Sequence, residues 1–254
     1  MRAYIAFTKK EWVESIRTYR LFILLAVFFV LGIMNPLTAK LTPTLLANFA
    51  PEGMVVEIPT PTALDSWIQF HKNVPQMGLF VLVIMFSGAM TGEYNKGTFV
   101  NMVTKGLKRR TIIFAKFTMS VLLWTMSLLL CFGLSSYYTA YYWNLDGFTQ
   151  ILQSVICVWL FGILLLSMLL FFGAVVRNGY ACMMFTGGMV VIFFLLNMLP
   201  SLQKYNPVYL VGSCQSLITG ELVMSDFTAS IIISIVFVVL SIVGSVLCFD
   251  RKKL

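Results

Sequence analysis

The stretch "TGEYNKGTFVNMVTKGLKRRTIIFAK", from Thr91 to Lys116, decides how the chain is read. It gathers Lys96, Lys105, Lys108, Arg109, Arg110 and Lys116 between two long apolar runs, in a chain with only 11% charged residues. The chain leaves the first run as Gly92–Glu93. Phe99, Met102 and Val103 then form an i, i+3, i+4 apolar stripe, which predicts a short amphipathic helix on a surface. Gly106 follows, then the basic run, and "TIIFAK" re-enters an apolar segment. Two readings of the bases stand side by side. They fix membrane topology, or they flank a surface helix that docks into a partner and transmits its motion.

Outward from this stretch, the composition favours the membrane class. The 254 residues are 59% hydrophobic, the mean hydropathy is +0.89, and soluble domains sit near half apolar and a quarter charged. The net charge of +8 lies in separated loops and not on one face, which argues against nucleic acid and for a lipid bilayer as the partner. The five cysteines share no metal-ligand spacing, and Cys131, Cys157, Cys182 and Cys248 fall inside apolar runs, so neither a disulfide framework nor a zinc site is expected. His71 is the only histidine, which excludes a histidine-rich metal site.

Six apolar segments are long enough to cross a bilayer: 21–37, 75–91, 112–142, 151–176, 180–200 and 228–249. The expected fold is an all-α polytopic membrane protein, one domain over 1–254. With the N-terminus inside, Arg2, Lys9, Lys10, Arg17 and Arg20 precede the first span on the cytoplasmic side. The Thr91–Lys116 bases, Arg177, Arg251, Lys252 and Lys253 fall on the same side, and only Lys40, Lys72 and Lys204 lie outside. This asymmetry predicts cytoplasmic N and C termini. "SSYYTAYYW" (Ser135–Trp143) at the outer end of the third span reads as an aromatic belt.

The leader, 1–20, precedes a span expected to be retained, since a signal peptide has a shorter basic start and a small-residue cleavage site. Ile5, Trp12, Ile16 and Tyr19 recur at near-helical spacing, while Lys10, Glu14 and Arg17 occupy another face. This predicts an amphipathic helix on the inner leaflet, with Trp12 at the interface and Arg17 and Arg20 toward the headgroups. The outer loop 38–74 contains Pro43, Pro51, Pro59 and Pro61, which argues against a continuous helix. Within it, Asp65–Lys72 reads as a short helix able to lay Trp67, Ile68 and Phe70 on the membrane. The outer loop 201–227 is semi-apolar and reads as short re-entrant helices before the sixth span.

No GxxxxGK[ST], HExxH or GxSxG occurs, and no acid lies deep in an apolar segment. A catalytic site, a bound cofactor and ion-coupled pumping are therefore not expected of this chain.

The residues from Glu93 onward resemble the region after the second span in permease subunits of the ABC-type-2 exporter family. Those permeases show a Glu, a Gly-Thr four residues on, a basic run and a Lys opening the third span. Here these are Glu93, Gly97, Thr98, Lys108, Arg109, Arg110 and Lys116. The family often has a Pro before its basic pair, where this chain has Gly106 in "TKGLKRR". "KKEWVESIRTYRLFILL" resembles the family's amphipathic leader, and Asn206-Pro207 with Gly220 resembles the segment before its sixth span.

The resemblance implies the membrane subunit of an ATP-driven exporter in a bacterial cell membrane. A second permease copy or paralogue would complete the pathway, and two copies of a separate cytoplasmic ATPase would carry the ATP and Mg. The leader and a coupling helix within 92–111 would rest on the ATPase, through Glu93, Gly97, Thr98, Phe99, Met102, Val103, Lys105, Arg109 and Arg110. Glu93 is expected to pair with a base of the leader, such as Arg17 or Arg20. An interior rich in Phe and Met suits an amphipathic or hydrophobic cargo, such as a small peptide, a drug or a lipid-like molecule. The alternative is a membrane protein that binds or senses without transport and has no ATPase partner.

Overall fold

The computed structural model describes residues 2–49, 60–95, 97–104, 106–143 and 148–251, and among them every regular element is helical. The order is α1 (Arg2–Arg17), α2 (Arg20–Phe49), α3 (Ala63–Asn73), a π turn (Val74–Gly78), α4 (Leu79–Asn95), α5 (Thr98–Thr104), α6 (Arg109–Tyr142), α7 (Phe148–Val175) and α8 (Gly179–Asn197). Three short helices, α9 (Pro200–Gln203), α10 (Tyr209–Gly212) and α11 (Cys214–Ile218), and a 3₁₀ turn (Met224–Phe227) lead into α12 (Thr228–Arg251). Six stretches are long and apolar enough to cross a membrane: Arg20–Thr44, Ala63–Tyr94, Arg109–Tyr142, Gln150–Val175, Gly179–Asn197 and Met224–Arg251. The chain is a multi-pass membrane protein.

The helix ends follow local chemistry. α1 stops at Thr18–Tyr19, where Tyr19 takes φ 58°, the only non-glycine in the left-handed region among the described residues. Gly106, at φ 85°, ends α5: its amide reaches Val103 O (2.9 Å) and the Leu107 amide reaches Met102 O (3.2 Å). This is the paired glycine cap that closes a helix, and it shows what stands in place of the expected proline.

Two expectations about the first outer loop are corrected. α2 does not stop near Leu37 but runs through Pro36 and Pro43 to Phe49; residues 50–59, with Pro51 and Pro59, lie outside the described residues. Proline at 36 removes the amide that would bond Gly32 O. Ser135 of α6 donates to that carbonyl instead (3.0 Å), a repair available because Gly32 has no Cβ to hold α6 away. The helix over Asp65–Lys72 exists as part of α3, but Trp67 and Phe70 are buried in the core, not laid on the membrane. The π turn joins α3 to α4, with the Leu79 amide bonded to Val74 O. The helical stretch long and apolar enough to cross a membrane here runs over Ala63–Tyr94 and so includes 75–91.

α7 is the centre of the bundle. In its most apolar stretch 72% of the residues are buried, against 17% in α8 and 11% in α12. Trp124 of α6 seals it: its Nε1 donates to Trp159 O (3.0 Å), Trp159 Nε1 donates to Thr125 Oγ1 (2.9 Å), and the indole lies on Gly162. A polar seam crosses the other side, where Asn73 donates to Asn35 (3.0 Å), Asn35 to Ser135 (3.2 Å), and Ser154 Oγ meets His71 Nε2 (2.8 Å).

Candidate functional site: a buried ionic cluster beside α5

Lys116 opens an apolar helix two turns in, where a lone ammonium needs partners or it neutralises. α1 supplies one. Phe7, Glu11 and Ser15 follow at i, i+4, i+8 and are the buried ridge of α1. Glu11 takes the Lys116 ammonium on both carboxylate oxygens, each at 3.1 Å. The end of α4 supplies the other, with Glu93 Oε2 3.3 Å from the same nitrogen. Lys116, Glu93 and Glu11 are 2%, 5% and 6% exposed.

Lys10 closes the cluster from the rim. Its ammonium lies 2.5 Å from Glu93, 3.0 Å from Glu11 and 2.6 Å from Glu14. Burial alone would lower the Lys10 pKa, but the hydrogen bonds it donates to Glu14 and Glu93 outweigh it and hold the value well above the usual lysine range. Burial alone would raise Glu14, and the bond from Lys10 outweighs it, holding that carboxyl below its usual range. Oxygens of Glu11, Glu14 and Glu93 lie within 4.8 Å of one another, the spacing of a cation site. The ammoniums of Lys10 and Lys116 already stand among them, so the cluster answers its own charge. Its chemistry is that of a joint: three segments distant in sequence are held together through the buried charges of Lys116, Glu11 and Glu93.

The sequence expectation for Glu93 is therefore half met. It pairs with the leader, but with Lys10, and with Lys116 of α6, not with Arg17 or Arg20. Arg17 is exposed and Arg20 half-buried; Trp12 packs on the core. Glu11 was not singled out from the sequence, and Lys116 only as a motif residue. The available signal was a base inside "TIIFAK" with no acid on its own helix to answer it.

α5 sits next to this joint and is itself docked inward. Phe99 is buried, edge-on to Tyr94 (4.8 Å) and to Phe249 of α12 (5.1 Å). Met102 and Val103 pack on the same cluster as Phe7 and Ile113. Of the apolar stripe, Phe99 is covered by the chain's own helices, while Met102 and Val103 stay half-buried. Thr98 Oγ1 donates to Glu93 O (3.2 Å), and Gly97 turns the backbone at φ 65°. Arg109 donates to Phe249 O and Asp250 O and lies over the Phe249 ring, capping the negative end of α12. Arg110 reaches Asp250 at 3.6 Å but is mostly exposed. Lys108, Arg110, Gly97 and Thr104 face outward. Lys105 lies outside the described residues.

No family model matches the chain. A protein of Bacillus subtilis (strain 168) named uncharacterized transmembrane protein YxlG is 22% identical over 258 residues, covering 100% of this chain and 99% of that one.

Proposed function

We infer that the chain is the membrane-spanning subunit of an ATP-driven exporter, coupled to a separate cytoplasmic ATPase. The observation that carries this reading is the buried cluster of Glu11, Glu93 and Lys116, closed at its rim by Lys10. It fuses the leader, the exit of α4 and the entry of α6 into one block, and α5 is wedged against that block with Lys108 and Arg110 facing out. A motor pushing on α5 would move the leader and two spans together, because breaking one buried pair costs about 3–5 kcal/mol. With the basic end of the bundle cytoplasmic, both termini lie on that side.

Two ATPase copies would hold ATP and Mg, and two permeases, identical or paralogous, would frame the pathway in a bacterial cell membrane. This chain would supply no catalytic site. Lys108 and Arg110 would meet carboxylates of the ATPase, each charge-assisted bond contributing about 1.5–3 kcal/mol at best. The cargo would be amphipathic or hydrophobic: a small peptide, a drug or a lipid-like molecule.

The test is co-purification. The tagged chain is extracted gently from its native membrane, and stoichiometric companions are identified for the wild type and for Lys108→Glu with Arg110→Glu. Arg109 is left in place because it caps α12. A soluble ATPase that accompanies the wild type and is lost from the variant is the expected result. A wild type that emerges alone even after cross-linking sinks the reading, and a binding or sensor protein without transport then takes its place.

A further inference from the structure

Between the last turn of α7 and the last turn of α12 lies an open cavity of about 300 Å³, lined by Ala174, Val175, Cys248 and Arg251. Three of the lining residues are apolar and the fourth is Arg251. The helices touch tightly one turn earlier, where a Cβ on Gly244 would stand 2.8 Å from the Phe171 ring, so the cavity begins where they part. Asp250, the neighbouring acid, faces Arg110. Among the described residues no carboxylate lies within ion-pair distance of Arg251. Lys252 and Lys253 follow it in the sequence.

The same helix continues the site into the bilayer. Leu240, Val243, Leu247 and Arg251 recur at steps of three and four, which places them on one face. The three apolar ones are 61%, 49% and 52% exposed. A guanidinium at the end of an exposed apolar face matches a molecule with an anionic head and a hydrocarbon tail. Guanidinium binds phosphate through a planar fork, and basic pockets between spans take anionic headgroups. The carbonyl pole of α12 would repel an anion, but Arg109 is already bonded to Phe249 O and Asp250 O and offsets it.

We propose that this groove binds one anionic phospholipid, with the phosphodiester on Arg251, the upper chain between Ala174, Val175 and Cys248, and the tail along Leu247, Val243 and Leu240. A free phosphate would leave the apolar walls unused. The site does not depend on the exporter reading, only on the chain lying in a bilayer.

Cys248 makes the test direct, because it is half-buried while the other four cysteines are buried. The full chain is placed in nanodiscs of phosphatidylcholine alone or mixed with phosphatidylglycerol, and alkylation of Cys248 by N-ethylmaleimide is followed by mass spectrometry. Phosphatidylglycerol at about ten times its dissociation constant slows the wild type roughly tenfold. Arg251→Gln, an exposed position, removes that protection. Equal rates in the two lipids overturn the proposal. Equal slowing of Arg251→Gln also overturns it, since membrane surface charge then explains the effect. Glycerol phosphate protecting Cys248 in phosphatidylcholine discs as well as the lipid does would show a phosphate site and no lipid site.

Discussion

Lys116 and Glu11 are 105 residues apart in the chain, yet the ammonium of one is held by both oxygens of the other at 3.1 Å, with neither side chain reaching solvent appreciably. A pair of this kind is judged by what its removal leaves behind. Lys116→Met strands Glu11 and Glu93 with one ammonium between them and is expected to cost about 3–5 kcal/mol. Lys116→Met combined with Glu11→Gln should cost clearly less than the two single changes added together, because the stranded charge goes with its partner. Thermal unfolding of the four proteins in one detergent measures this. Additive losses would mean that the two side chains do not depend on each other.

The rim of the cluster sets a pH response. Glu14 has a lowered pKa in the folded chain, so its contribution is present above the ordinary carboxyl value of 4.5 and is lost as pH falls through the folded value. Lys10 has a raised pKa, so its contribution is present below 10.5 and is lost as pH rises through the folded value. The melting temperature should be level between these limits and fall on both sides. Glu14→Gln should flatten the acid arm and leave the neutral plateau nearly level. An acid arm of unchanged steepness in that variant would assign it to other groups.

Pro36 and Ser135 form a second linked pair. Ser135→Ala leaves Gly32 O without its donor inside the bundle and is expected to cost about 1–3 kcal/mol. Pro36→Ala restores an amide four residues after Gly32, which can serve the same carbonyl. Ser135→Ala should therefore be much milder in the Pro36→Ala background. A double-mutant cycle on melting temperature decides, and equal costs in both backgrounds would remove the repair from the account.

Gly162 of α7 lies directly under the Trp124 side chain of α6. A methyl there would fall 2.4 Å from the Trp124 indole, which is buried and bonded to Trp159 O. Gly162→Ala should lower stability by about 1–3 kcal/mol through overpacking. Gly133→Ala on α6 meets nothing within 4 Å and should be close to neutral, which makes it the control. A neutral Gly162→Ala would show that the ring moves freely.

The sequence by itself determined the class of this protein and much of its outline. Runs of about 20 apolar residues can only be satisfied by a bilayer, so the six spans are visible from composition and length. The left-handed residues that end α5 are glycines, and the stripe of Phe99, Met102 and Val103 shows the face it buries, because local backbone sterics and helix period act over a few residues. The tertiary structure alone decided what comes against each face. Phe99 of the α5 stripe meets Phe249 from the far end of the chain. Glu93 meets Lys10 and Lys116 although Arg17 and Arg20 are also on or beside the leader. Pro36 does not end its helix, because a serine 99 positions later occupies the carbonyl it frees. A period identifies the buried side of a helix, but desolvated charges and freed carbonyls choose among distant partners by geometry, which exists only once the helices are packed.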